Sequence, residues 1–465
     1  MDLEHILKET DGRSFDLFKE HVHPQFARVL KTIGFDRDYG RAEGPYLWDR
    51  EGNRYLDFLA GWGALSLGRG HPDVRRVLRD VVDSDLPNWV AFDIPPLAGR
   101  LAEELLRRMP SELERVYFCN SGAECVEAAI KFARRATGHS RILYAHRAFH
   151  GLTCGALSVN GDQSFRDGFE PFLPGTGEVP LNDLEALERA FASGDVAGII
   201  VEPVQGKGVY IATDEWMLAA QRLCRAHDAL LICDEIQSGM GRCGRFLACE
   251  WTEGIDPDIV LLAKALSGGF VPVGAVLTRR WIYEKVYPTM SDSMAHACTF
   301  GMGNLAMAAG LATLHVMDRD GLVSRANELG ARFKRGLDAL KPRFPFLGQI
   351  RQRGLMIGIE FHEPDSLGLR GMWKLIHKMD QDLFPQAIVI PLLDDHRILT
   401  QVAGHHLDVV KLLPPLIISE DDVDWFLGAF EQVMVKLHKV PGPIWEVLKK
   451  LAKHALRRKR SAASG

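Results

Sequence analysis

Short apolar runs recur through the middle of the chain with helix-patterned stretches between them: Arg115–Cys119, 142–145, 197–201, 229–233 and 259–263. Runs that are apolar on both faces and separated by helices predict a parallel sheet covered on both sides, so the centre reads as an α/β domain. In open sheets of this kind ligands collect at the carboxyl ends of the strands. The residues that follow each run are therefore where chemistry is to be sought.

The flanks differ in pattern. Residues 1–73 and 322–440 mix helices with short strands such as Tyr46–Asp49 and 355–361, and neither contains a repeat or a low-complexity linker. We expect them to form one smaller α+β domain built from both chain ends, around a large domain spanning 74–321. After Pro441-Gly442-Pro443 the appended segment 441–465 changes character. Within 444–460, Ile444, Leu448, Leu451 and Ala455 recur at helical spacing opposite Lys449, Lys450, Lys453, Arg457 and Arg458. Such a basic amphipathic helix either docks on the small domain or contacts an anionic membrane or an acidic carrier protein reversibly.

Composition narrows the class. At 465 residues, with 46% hydrophobic and 25% charged positions, the chain has the makeup of an ordinary globular protein of two or three domains. Its formal charge of -5 balances 56 basic against 61 acidic residues, which argues against a nucleic-acid partner. No run reaches the roughly 18 apolar residues of a membrane helix, and the acid-rich first twenty residues argue against export, so a cytoplasmic location is expected. The eight cysteines are scattered and include no C-x-x-C pair, which reads as reduced, mostly buried thiols and no metal site.

Three strand ends carry chemistry. After Cys119 comes Asn120-Ser121-Gly122-Ala123-Glu124 and then a helix. A small turn opening a helix lets backbone N–H groups and a serine hydroxyl approach a phosphate, although Ser121 also serves as a simple helix cap. The run 229–233 leads into Asp234-Glu235-Ile236-Gln237, and a carboxylate buried at that point needs a cationic partner. The run 259–263 delivers Lys264, whose amine, if desolvated, suits attack on a carbonyl. A simple Asp234–Lys264 ion pair is the competing reading. Phosphate cradle, aspartate and lysine ordered along one sheet match what pyridoxal 5′-phosphate requires.

At this point the sequence resembles the class III aminotransferases, the family of ornithine, acetylornithine, putrescine and 4-aminobutyrate aminotransferases. The likeness covers roughly residues 26–435 and rests on Asn120-Ser121-Gly122-Ala123-Glu124, Phe149-His150-Gly151, Glu202-Pro203-Val204-Gln205-Gly206, Asp234-Glu235-Ile236-Gln237, Leu262-Ala263-Lys264-Ala265 and Thr299-Phe300-Gly301. It implies the fold type I of pyridoxal-phosphate enzymes and ping-pong transfer of an amino group from an amine to a keto acid such as 2-oxoglutarate or pyruvate. By resemblance, Lys264 would attach the cofactor and move protons. Asp234 would hold the pyridine nitrogen protonated, and Phe149 and Ile236 would flank the ring. Gln237 would bond its phenolic oxygen, and Ser121, Gly122 and Ala123 would hold its phosphate. Thr299 would reach the phosphate of a neighbouring subunit, which makes a homodimer obligatory. An aminomutase on the same scaffold is the alternative reaction.

Departures from the family pattern bear on the substrate. Trp62, in Gly61-Trp62-Gly63, falls at an aromatic position of the ornithine-type substrate pocket, or is simply a core tryptophan. Ornithine-type relatives have arginine after Phe-x-Gly, where Leu152 stands here and has nothing to grip a carboxylate. Their gating glutamate and arginine are replaced by Lys207 and Lys411. Lysine offers a point charge where arginine offers a fork. The expectation is that Lys411 binds the acceptor's carboxylate and that the donor is an amine or ω-amino compound, with an ornithine-like α-amino-acid donor as the alternative. Two lysines at one site repel unless an anion lies between them or Lys207 turns outward to solvent.

Overall fold

The computed structural model describes residues 2–87, 93–110, 112–439, 442 and 445. Its centre is a seven-stranded sheet in the order Arg115–Cys119, Gly274–Thr278, Ile259–Leu262, Leu230–Asp234, Val196–Val201, Arg141–Ala145 and Thr176–Val179. The last five strands of that order run parallel, whereas Gly274–Thr278 is antiparallel to both of its neighbours. Buried aliphatic side chains fill Val196–Val201, Leu230–Asp234 and Ile259–Leu262 on both faces, which is why these runs stand out in the sequence.

Two strands lacked a signal. Thr176–Val179 is a short edge strand of mixed polarity. Gly274–Thr278 opens on glycine because a Cβ at Gly274 would lie 2.6 Å from Cys125 Sγ and 2.8 Å from Cys119 Sγ. Close packing against the helix Gly122–Thr137 thus replaces the bulky residue that would have marked the strand.

Both chain ends meet in a second sheet. Tyr39–Glu43, Tyr46–Asp49 and Arg54–Asp57 form an antiparallel meander, and Ile398–Leu399 adds to its edge parallel to Arg54–Asp57. Phe58, Phe333 and Phe426 form a triangle with ring centroids 5.7 Å apart, so aromatic packing joins the N-terminal segment to two C-terminal helices. A third sheet, Leu347–Arg353, Met356–Phe361, Val409–Leu412 and Gln401–Val402, carries Lys411 in register with Gly358. Of the basic segment expected at 444–460, all but Trp445 lies outside the described residues. Trp445 is buried, 5.9 Å from the Phe346 ring, and donates its indole N–H to the Leu437 carbonyl.

Candidate active site

The helix Gly122–Thr137 begins where the first strand ends. Ser121 is its N-cap, its hydroxyl accepting the Glu124 N–H at 3.2 Å, while Glu124 reaches back to the Asn120 N–H at 2.5 Å. These two bonds fix the turn and leave the N–H groups of Gly122 and Ala123 without an acceptor among the described residues. A Cβ on Gly122 would lie 3.0 Å from Ile236 Cδ1 and Cγ2, so glycine here lets the Ile236 side chain press against the turn. Gly151, at φ +122°, likewise packs on Ala123, where a Cβ would come within 2.8 Å.

Asp234 is buried at the end of its strand, as expected, but its cationic partner is not Lys264. His150 Nδ1 stands 2.6 Å from Asp234 Oδ2, and the other carboxylate oxygen accepts the Ile236 N–H. Burial opposes a charge on His150, yet the hydrogen bond and the charges of Asp234 and Glu202 overcome it and raise its pKa. In the sequence His150 stands out only as the middle residue of Phe149-His150-Gly151, next to the phenylalanine expected to flank the ring.

Lys264 follows Ile259–Leu262 in a left-handed backbone conformation, φ +36°, which costs a non-glycine residue on the order of 1 kcal/mol. Burial lowers its pKa, opposed by the charges of Asp234 and Glu202, so the amine is held closer to the neutral, nucleophilic form. Glu202 itself is buried, accepts the N–H groups of Phe149 at 3.0 Å and Gly206 at 2.7 Å, and has a raised pKa, chiefly from desolvation.

Gln237 links two other expected residues, Trp62 and Lys411. Its amide nitrogen donates to the Trp62 carbonyl at 3.0 Å, and its oxygen accepts from Lys411 Nζ at 3.3 Å. Trp62 is 59% exposed, so it is not a core tryptophan; Leu152 is exposed as well. Lys411 is buried and donates to the Gly206 carbonyl at 2.6 Å, and burial together with the charges of Lys264 and Lys207 pushes its pKa down to about 7. Lys207 does not turn out to solvent. It is buried in an ion pair with Asp162, a partner that no local sequence pattern announces. Thr299 follows Cys298, whose Sγ accepts from the Asn120 side chain at 2.9 Å; it is exposed and lines a cavity of about 670 Å³ with Tyr117, Tyr287, Met294 and Met302.

Residues 31–434 match the family model for aminotransferase class-III. The chain belongs to that family. It is 35% identical over 456 residues to the aminotransferase PigE of a Serratia species, covering 91% of this chain but only 53% of that protein, so the chain spans about half of that relative's length. It is 36% identical over 428 residues to the acetylornithine aminotransferase of Gloeobacter violaceus, covering 90% and 97% of the two chains. Among solved structures, the ornithine aminotransferase of Toxoplasma gondii superposes with a TM-score of 0.76 at 30% identity, covering 86% and 90% of the two chains. An amine transaminase from an uncultivated Pseudomonas species gives 0.74 at 25% identity, covering 86% and 94%.

As a member of this family the chain is a pyridoxal-phosphate-dependent aminotransferase. The residues present fit that cofactor. A helix start with two unsatisfied N–H groups suits a phosphate, and the buried Asp234 and the desolvated Lys264 suit a ring nitrogen and a carbonyl carbon.

Proposed function

We propose that this aminotransferase takes an amine or ω-amino compound as donor, with a keto acid such as 2-oxoglutarate or pyruvate as acceptor. The single observation that carries the donor class is the exposed Leu152 at the position where a carboxylate-gripping arginine stands in ornithine-type relatives. In the reverse direction the same site aminates an aldehyde.

Pyridoxal phosphate, when bound, supplies a carbonyl carbon for the amine and a ring that accepts electrons. Lys264 provides the attaching amine and afterwards moves a proton at the substrate carbon, a role its lowered pKa favours. Asp234, held by His150, keeps a proton on the ring nitrogen. Phe149 and Ile236 flank the ring, Gln237 faces its phenolic oxygen, and Ser121, Gly122 and Ala123 hold the phosphate. Trp62 shapes the donor pocket, Lys411 binds the acceptor's carboxylate, and Lys207, paired with Asp162, adds positive charge beside it.

The working unit is a homodimer in which Thr299 reaches its neighbour's phosphate. Exposed Met290, Met294, Phe300 and Met302 around that threonine support this reading, because a patch of that kind is normally covered. The division into a large domain over 74–321 and a small one from 1–73 and 322–440 is supported by the sheet joining Arg54–Asp57 to Ile398–Leu399. Free thiols, including the hydrogen-bonded pair Cys119 and Cys125 with their sulfurs 3.3 Å apart, fit a reducing cytoplasm. Contact of 444–460 with a membrane or acidic carrier belongs to this proposal as a test on a version ending at Val440. The 36% identity to an acetylornithine aminotransferase favours a second reading, an α-amino-acid donor.

The reading is tested by a donor screen in single turnover, following bleaching of the cofactor's visible band. Amines should bleach it faster than α-amino acids, and the reverse order returns the enzyme to the amino-acid branch. Borohydride reduction and peptide mapping should place the cofactor on Lys264, and Lys264→Ala should lose at least about a thousandfold in turnover.

A further inference from the structure

A second cavity, of about 340 Å³, lies beside this site and is lined by Arg147, Asp162, Arg166, Lys207 and His405 among others. Phe165 separates it from the ring-stacking position: its ring is 5.4 Å from that of Phe149 and 5.1 Å from that of His405, and Lys207 Nζ lies 5.4 Å over its face. Phe165 thus touches Phe149 on one side and two residues of the cavity lining, Lys207 and His405, on the other.

Its charges do not cancel. Asp162 is taken by Lys207, with His405 Nδ1 3.4 Å away, and Glu178 is taken by His146 at 2.7 Å. His406, also on the wall, lies 3.6 Å from Asp382. Arg147 and Arg166 form no ion pair among the described residues. Arg147 is exposed, with its guanidinium 5.0 Å from the Tyr210 ring centroid. Arg166 donates to the Tyr144 hydroxyl at 2.7 Å and to the Asn160 carbonyl, and its buried Nε has no acceptor. Two guanidinium cations, Arg147 and Arg166, and the Lys207 ammonium therefore face the two carboxylates of Asp162 and Glu178, before any imidazole gains a proton. Burial lowers the pKa of His405, reinforced by Lys207, and the same pressure takes Lys207 to about 8, so both groups gain from an added negative charge.

We propose that this cavity is an oxyanion site, in which a phosphate or carboxylate group sits between Arg147, Arg166 and Lys207. Guanidinium forks match the two oxygens of such groups, and a walled cavity strengthens the attraction. One source of the oxyanion is the distal carboxylate of a dicarboxylic acceptor, which rests on the proposed function; the other is free phosphate, which does not.

The test uses cofactor-loaded enzyme, so that the phosphate cradle is filled. Calorimetric titration with inorganic phosphate should give one saturable site per chain. Arg147→Glu should weaken it at least about tenfold, the loss of one hydrogen bond to a charged group, whereas Arg189→Glu, at an exposed position of the helix Leu184–Ala192, should leave it unchanged. If phosphate then raises KM for 2-oxoglutarate and not for pyruvate, the acceptor's distal carboxylate uses the site; if both KM values stay fixed, it serves a free oxyanion. No saturable binding, or equal binding by Arg147→Glu, overturns the proposal. Failure of the donor assignment would appear only in the donor screen and would leave this titration untouched.

Discussion

His150 Nδ1 and Asp234 Oδ2 face each other across 2.6 Å in a region where both side chains are almost wholly buried. A carboxylate in such a place keeps its charge only if the opposite charge is kept beside it. His150→Gln should therefore lower kcat by about ten- to a hundredfold, the range for losing one charge-assisted hydrogen bond, without abolishing cofactor binding. The pH dependence has a definite sign. A histidine whose pKa is raised on folding stabilises the protein fully below its ordinary value of 6.5, and that contribution fades as the pH climbs through the raised value. Denaturant midpoints of wild type and His150→Gln should differ most near pH 6 and converge in alkali.

Lys411, poised at about 7, loses its proton within the working range. Acceptor KM should rise by up to about tenfold per pH unit above 7, while the amine half-reaction lacks that dependence. Lys411→Ala should impair the keto-acid half much more than the amine half. Stopped-flow half-reactions measure both, and equal losses would remove Lys411 from acceptor binding.

Legibility in the sequence followed burial. The strand cores at 197–201, 229–233 and 259–263 are uniformly apolar and could be read, and Asp234 and Lys264 inherit their positions from them. Gly274–Thr278 was hidden because packing against two thiols required glycine where a strand signal would need bulk. Partners distant in sequence were equally silent: Asp162 lies 45 positions before Lys207, and no local pattern relates the two. The roles proposed for Leu152 and Lys411 come from departures within a family pattern, which periodicity alone does not supply.

The exposed methionines near Thr299 give a test of assembly. Met294→Glu places a charge where Met294 is 62% exposed in the single chain. Sedimentation should shift toward a monomer at micromolar concentration, and activity should fall in proportion to the dimer lost. An active monomer would disprove the shared site.

Removing one corner of the aromatic triangle should cost much more than a surface change. Phe426→Ala leaves Phe58 and Phe333 facing a void, and the expected loss is about 3–5 kcal/mol, read as a lowered urea midpoint. A loss under about 1 kcal/mol would mean that the cluster collapses to fill the space.

The pairing of Leu56 with Ile398 has a consequence for how the protein is made. Some 340 residues separate these two strands, and a ribosome adding about 5–20 residues per second needs roughly 17 to 70 s to cross that distance. Throughout that interval the emerging N-terminal meander waits with an unpaired edge, while the whole central sheet is synthesised and free to fold first. The nascent chain must therefore keep its first strands from pairing with other chains until Ile398–Leu399 appears.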